Sequence, residues 1–85
     1  MTDVKTQAPP FQGRLLQRRE PIEYGDDVEM WQKKMKNRGW DIVVDGKYGE
    51  QSESKCKKFQ QEKGLSVTGV VDAITWEKTW TAPIT

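Results

Sequence analysis

One short stretch of sequence occurs twice, and this limits the fold more than any total does. Val44-Asp45-Gly46-Lys47-Tyr48-Gly49 is answered by Val67-Thr68-Gly69-Val70-Val71-Asp72, and Ser52 matches Thr75 at the same offset. Each copy follows a glycine (Gly39, Gly64) and an apolar residue (Trp40, Leu65). One helix further back, Trp31-Gln32 and Phe59-Gln60 occupy comparable places. A helix, a glycine stop and an elbow that opens the next helix, used twice, yields three helices around one core.

Periodicity supplies the helices. Val28, Trp31 and Met35 fall on one face, which predicts a first helix from about Asp27 to Arg38. Asp26 and Glu29 stand three apart, as in a capping box at its start. Lysines crowd its later turns, where cations suit the helix dipole, and Gly39 supplies a left-handed stop. A second helix is expected from about Glu50 to Lys63, with Ser52, Cys56 and Phe59 facing inward and Gly64 ending it. A third runs from about Ala73 to Trp80. Asp72 is its expected N-cap, Val71 and Trp76 are placed for a hydrophobic staple, and Trp76 and Trp80 stack one turn apart. Trp40 to Tyr48 reads as a loop or a short strand pair, because Ile42, Val43 and Val44 favour extended backbone and Asp45-Gly46 a tight turn. Trp31, Phe59, Trp76 and Leu65 are assigned to the core.

Upstream of these elements, residues 1–13 are polar and hold Pro9, Pro10 and Gly13. They read as an arm, and their composition favours a free linker over a docked tail. Leu15 and Leu16 could pack as a short turn against the domain, and Pro21 stops any helix there. The expected organisation is an arm at 1–13 and one domain at 14–85. The fold class is all-α, a small three-helix bundle with a pseudo-repeat, a short extended loop pair and an N-terminal arm.

The totals narrow the function. With 85 residues and 34% hydrophobic residues, a single small core is all that can form, and four Trp help fill it. Fourteen basic and 13 acidic residues leave a formal net charge of +1, so nothing demands a nucleic-acid partner. No apolar run approaches a membrane span, and the N-terminus lacks the apolar centre of a signal peptide. A role outside the cell would therefore need lysis, a holin or a fusion partner for export. There is one cysteine and no histidine. An intramolecular disulfide is excluded, and a common metal ligand and general base is missing. Cys56 reads as a small core residue. The carboxylates that a glycan cutter would need are better explained as caps, dipole partners and turn formers. No catalytic residue, metal or cofactor is expected, and the chain reads as no enzyme.

Read together, the motifs resemble the type 1 peptidoglycan-binding domain. The resemblance rests on Gly25-Asp26-Asp27-Val28, Trp31-Gln32, Gly39-Trp40, Val44-Asp45-Gly46-Lys47-Tyr48-Gly49 and Ser52. It continues through Phe59-Gln60, Gly64-Leu65, Thr68-Gly69-Val70-Val71-Asp72 and Thr75-Trp76, and covers about residues 25–81. Trp31 stands in place of the family's usual Leu, Glu50 in place of Pro, and Lys55-Cys56 in place of Ala-Val. Gly13-Arg14-Leu15-Leu16 and Cys56 also look like lysin modules of phages that infect actinobacteria. The resemblance implies a three-helix fold and a wall-binding role, usually beside a hydrolase domain.

Peptidoglycan presents sugar faces, amides and stem-peptide carboxylates. An aromatic ring can cover a sugar's C–H face, a cation can meet a carboxylate, and so can N–H groups at a helix start. The loop leading into the second helix is the natural anion-facing corner. Its candidate ligand-binding residues are Trp40, Asp45, Gly46, Tyr48, Gln51, Ser52 and Lys55. Each has a plainer reading. Trp40 reads equally well as a core plug, and Tyr48 mirrors Val71 and so should be half-buried with an outward hydroxyl. Asp45 and Gly46 form a turn, Ser52 a first-turn hydrogen bond, and Gln51 and Lys55 a solvated surface. The partner expected is glycan or stem peptide, with no nucleic acid and no membrane, at the cell wall or outside the cell after release. Two other settings stay open. One is a phage virion or capsid decoration subunit held to its neighbours through residues 1–12. The other is the binding half of a lysin expressed alone.

Overall fold

The computed structural model describes residues 8–83. The part of the arm at residues 1–7 lies outside the described residues. In order, the elements are β1 (Glu23–Tyr24), α1 (Asp26–Asn37), β2 (Lys47–Tyr48), α2 (Glu50–Glu62) and α3 (Ala73–Thr81). The three expected helices are present, with ends within a residue of those read from periodicity. Both internal helix stops are built alike. After α1, Gly39 N–H donates to Lys36 O and Trp40 N–H to Met35 O. After α2, Gly64 N–H donates to Gln61 O and Leu65 N–H to Gln60 O. This paired closure needs left-handed backbone at the glycine, and Gly39 and Gly64 sit at φ 103° and 72°.

The starts of the helices differ. Asp72 caps α3, its Oδ1 accepting from Thr75 N–H at 2.8 Å, as the sequence predicts. The capping box at α1 does not form. Gly25 occupies the cap, no side chain bonds there, and Asp26 lies inside the helix. Neighbouring Asp27 is held instead by Arg14, 2.6 Å from its Oδ1. That hydrogen bond is the main reason the Arg14 pKa is raised.

The core is formed by Leu16, Val28, Trp31, Met35, Ile42, Tyr48, Cys56, Phe59, Val71 and Trp76. Trp31, Phe59 and Trp76 are buried as expected, and Leu65 and Trp80 pack half-buried at the margin. Trp76 and Trp80 stack with ring centroids 4.6 Å apart. Trp31 Nε1 donates to Thr79 Oγ1, so the largest core ring on α1 is satisfied from α3.

The extended residues find partners that local sequence does not announce. β2 does not pair within its own loop. It pairs antiparallel with β1, Glu23 opposite Tyr48 and Tyr24 opposite Lys47. Leu16 bridges Val71 through two backbone hydrogen bonds, which carries the segment before β1 across to the second elbow. The reading of the arm as a free linker fails for residues 8–11. Trp76 Nε1 donates to Pro9 O at 2.7 Å, Phe11 meets Trp76 edge-on, and Ala8 and Phe11 pack against the core. A buried indole needs an acceptor for its N–H, and the arm supplies it.

At the other end, Arg38 is buried and closes α3. Its guanidinium donates to the carbonyls of Thr79, Ala82 and Pro83 and lies 5.3 Å from the Phe59 ring centroid. Burial lowers its pKa. Lys63 Nζ also donates to Pro83 O.

Candidate functional site

Two buried glutamines organise the two elbows. Gln32 on α1 accepts at Oε1 from the N–H groups of Asp45 and Gly46, at 3.0 and 2.7 Å. Its Nε2 donates to Lys47 O, Ser52 Oγ and Asp45 Oδ1. Gln60 on α2 repeats this with the matching residues. Its Oε1 accepts from Thr68 and Gly69 N–H, and its Nε2 donates to Val70 O, Thr75 Oγ1 and Thr68 Oγ1. A primary amide suits the task because it offers two donor hydrogens and a two-lone-pair acceptor in one plane. The repeated Asp/Thr-Gly motifs are therefore turns clasped from behind. Trp31-Gln32 and Phe59-Gln60 were visible as a repeated pair, but their role as clasps was not.

Beside the first elbow lies a cleft of about 370 Å³, lined by Ile22, Gln32, Val43, Asp45, Lys47, Gly49, Glu50, Gln51 and Ser52. Its volume falls in the range of small-ligand sites. The cleft sits at the start of α2, where Gly49 caps the helix with no side-chain hydrogen bond. The first N–H groups of a helix lack intrahelical partners and carry the positive end of its dipole. Gln51 Oε1 accepts from Val43 N–H at 2.7 Å, tying the loop to the first turn of α2. Ile22 and Val43 form an exposed apolar rim, 41% and 56% accessible.

Of the seven residues singled out from sequence, the cleft brings together Asp45, Gln51 and Ser52. Asp45 and Gln51 are exposed, while Ser52 is buried under Gln32. Gly46 sits in the turn itself, at φ 75°. Trp40 does not line the cleft; it is half-buried with its ring edge on Phe59. Lys55 is half-buried and also outside the cleft lining. Tyr48 is fully buried rather than half-buried, and its hydroxyl points inward, donating to Gly69 O at 2.8 Å. Burial drives its pKa upward. Sequence reasoning missed Ile22, Val43, Lys47, Gly49 and Glu50. For Ile22 no local signal exists, since it arrives through the β1–β2 pairing.

Cys56 is buried in the core, and burial pushes its thiol up to about 11. Such a thiol is a poor nucleophile. Among the described residues no group of three or more His, Cys, Asp or Glu is placed to hold a metal ion. No helix among them is long and apolar enough to cross a membrane.

The peptidoglycan binding domain family model matches residues 24–78. The chain belongs to that family, a family of binding rather than catalytic domains. Its fold is similar to part of a fused Zn-dependent amidase/peptidase/peptidoglycan-binding domain-containing protein from Clostridium acetobutylicum ATCC 824. The TM-score is 0.75 at 25% identity, over 85% of this chain and 31% of that one. It is also similar in fold to a peptidoglycan-binding protein from Clostridioides difficile, solved in complex with glutamine hydroxamate. There the TM-score is 0.73 at 22% identity, over 80% of this chain and 41% of that one. This chain thus spans well under half of either protein. No curated protein matches.

Proposed function

We propose that this domain grips peptidoglycan at the cleft beside the first elbow and does not cut it. The observation that carries the reading is the open start of α2. Both α1 and α2 start at a glycine without a side-chain cap, and it is the α2 start that lies on the cleft, through Gly49, Glu50, Gln51 and Ser52. Its N–H groups suit a stem-peptide carboxylate or amide carbonyl. Asp45, Lys47 and Gln51 supply polar contacts, and Ile22 and Val43 cover apolar atoms of the ligand. The role is to concentrate a wall hydrolase on its polymer, in a lysin of phage or actinobacterial type. The similarity to a Clostridium acetobutylicum protein that joins an amidase/peptidase with a peptidoglycan-binding domain supports the pairing with a hydrolase. The virion setting draws no such support from these similarities.

Sedimentation with insoluble peptidoglycan sacs at low salt tests the proposal. The wild-type chain should pellet with the sacs. Gly49→Asp should bind about tenfold more weakly, because a carboxylate at the cap takes the N–H groups a ligand would use. Wild-type protein left in the supernatant sinks the wall-binding reading, and undiminished binding by Gly49→Asp sinks the cleft. The isolated chain should leave no clear zone in a zymogram.

A further inference from the structure

We infer that the groove between α1 and α3 is a second binding site, for an anionic polysaccharide strand. It goes beyond the elbow cleft and draws on the wall-binding reading only for the kind of polymer. Met30, Lys33, Lys34 and Asn37 of α1, Trp80 of α3 and Pro9 of the arm line a groove of about 250 Å³.

Trp80 is the central observation. The repeat places Lys57 at the matching position of α2, so the architecture does not require an aromatic ring there. Its ring stacks on Trp76, which holds it in place, yet it stays half-buried and reaches the groove. With Met30 and Pro9 it gives an apolar floor suited to the C–H face of a sugar ring. Lys33 and Lys34 stand along one edge. Lys34 has no ion-pair partner among the described residues, and Lys33 has only Glu29 at 3.9 Å, with the lysine side chain 68% and the glutamate 46% exposed. A weak exposed pair yields readily to a better-placed anion. The groove lining itself contains no carboxylate. Apolar surface beside two available ammonium groups matches a sugar that carries a carboxylate, since charge-assisted hydrogen bonds add to ring contact.

The test uses the whole chain and two soluble disaccharides. One is N-acetylglucosaminyl-N-acetylmuramic acid, which carries a carboxylate; the other is neutral di-N-acetylglucosamine. Amide and indole shifts are followed by NMR. The acidic sugar should move the Trp80 indole signal and the Lys33 and Lys34 amides, and bind more tightly than the neutral one. The double variant Lys33→Gln, Lys34→Gln should lose about tenfold in affinity for the acidic sugar and little for the neutral one. Trp80→Phe, which keeps a ring on Trp76, should weaken both. A silent Trp80 indole, or equal binding of both sugars by wild type and the double variant, overturns the site. Sac sedimentation reports separately on the elbow cleft, so sacs that pellet the chain while Trp80 stays silent overturn this site alone.

Discussion

The two elbows are built on the same plan and end in different states. Each rests on five hydrogen bonds to one buried glutamine, Gln32 or Gln60. In the second elbow the Gly69 carbonyl is taken by the Tyr48 hydroxyl, and side chains of Glu53 and Lys57 cover the glycine. Its helix is capped by Asp72. In the first, the Gly46 carbonyl is taken by Gly25 N–H, the glycine stays half-buried, and the matching cap position is Gly49. The second copy has become a packing joint. The first has kept its helix start without a side-chain cap and one flank open to the cleft.

That contrast can be broken most sharply at the glutamines. Gln60→Leu strands buried N–H and hydroxyl groups in the sealed elbow and should cost about 4 kcal/mol. Gln32→Leu should cost about 2 kcal/mol, because water in the open cleft can replace part of what is lost. Urea unfolding of both variants checks this, and equal losses would mean that the elbows are equally closed. The glycines sharpen the comparison further. A Cβ at Gly69 would lie 2.9 Å from Lys57 Cε and 3.0 Å from Glu53 Cγ, whereas at Gly46 the nearest atom is at 3.7 Å. Both glycines have φ near 75°, so both alanine variants bear a left-handed strain of about 1 kcal/mol. Gly69→Ala adds crowding and should lose about 2 kcal/mol in total, measured by thermal unfolding. Asp72→Ala should show the smallest loss, about 1 kcal/mol, while Gly49→Asp should gain a few tenths of a kcal/mol by adding the cap that the first elbow lacks.

Most of the architecture is legible because its signals are local. The glycine stops, the Asp72 cap and the inward faces of the helices all depend on residues within one or two turns of each other. The contacts that the sequence does not announce share the opposite property. Leu16 finds Val71, Glu23 finds Tyr48, and Pro9 finds Trp76, each across a long stretch of chain. Asp26 looked like a cap because Glu29 stands at the right spacing. Sequence could not show that Gly25 would take the cap position and that Arg14 would hold Asp27 from outside. The candidate site was legible where it coincides with the first elbow, at Asp45, Gln51 and Ser52. The symmetry of Tyr48 with Val71 holds, both being fully buried, but a valine has no hydroxyl and so gives no sign of the one that reaches across to Gly69. Ile22 reaches the cleft only through tertiary pairing.

The Arg38 clasp has a consequence for how the two ends of the domain respond to electrolyte. The segment before α1 is fastened by Arg14–Asp27, Arg18–Glu53 and Arg19–Glu23, and the arginine of each pair is about half exposed. Mobile ions weaken such pairs. The end of α3 is fastened by a buried guanidinium bound to three carbonyl oxygens, which counter-ions reach poorly and which have no net charge to screen. Rising salinity thus loosens the domain from its front while its back stays shut.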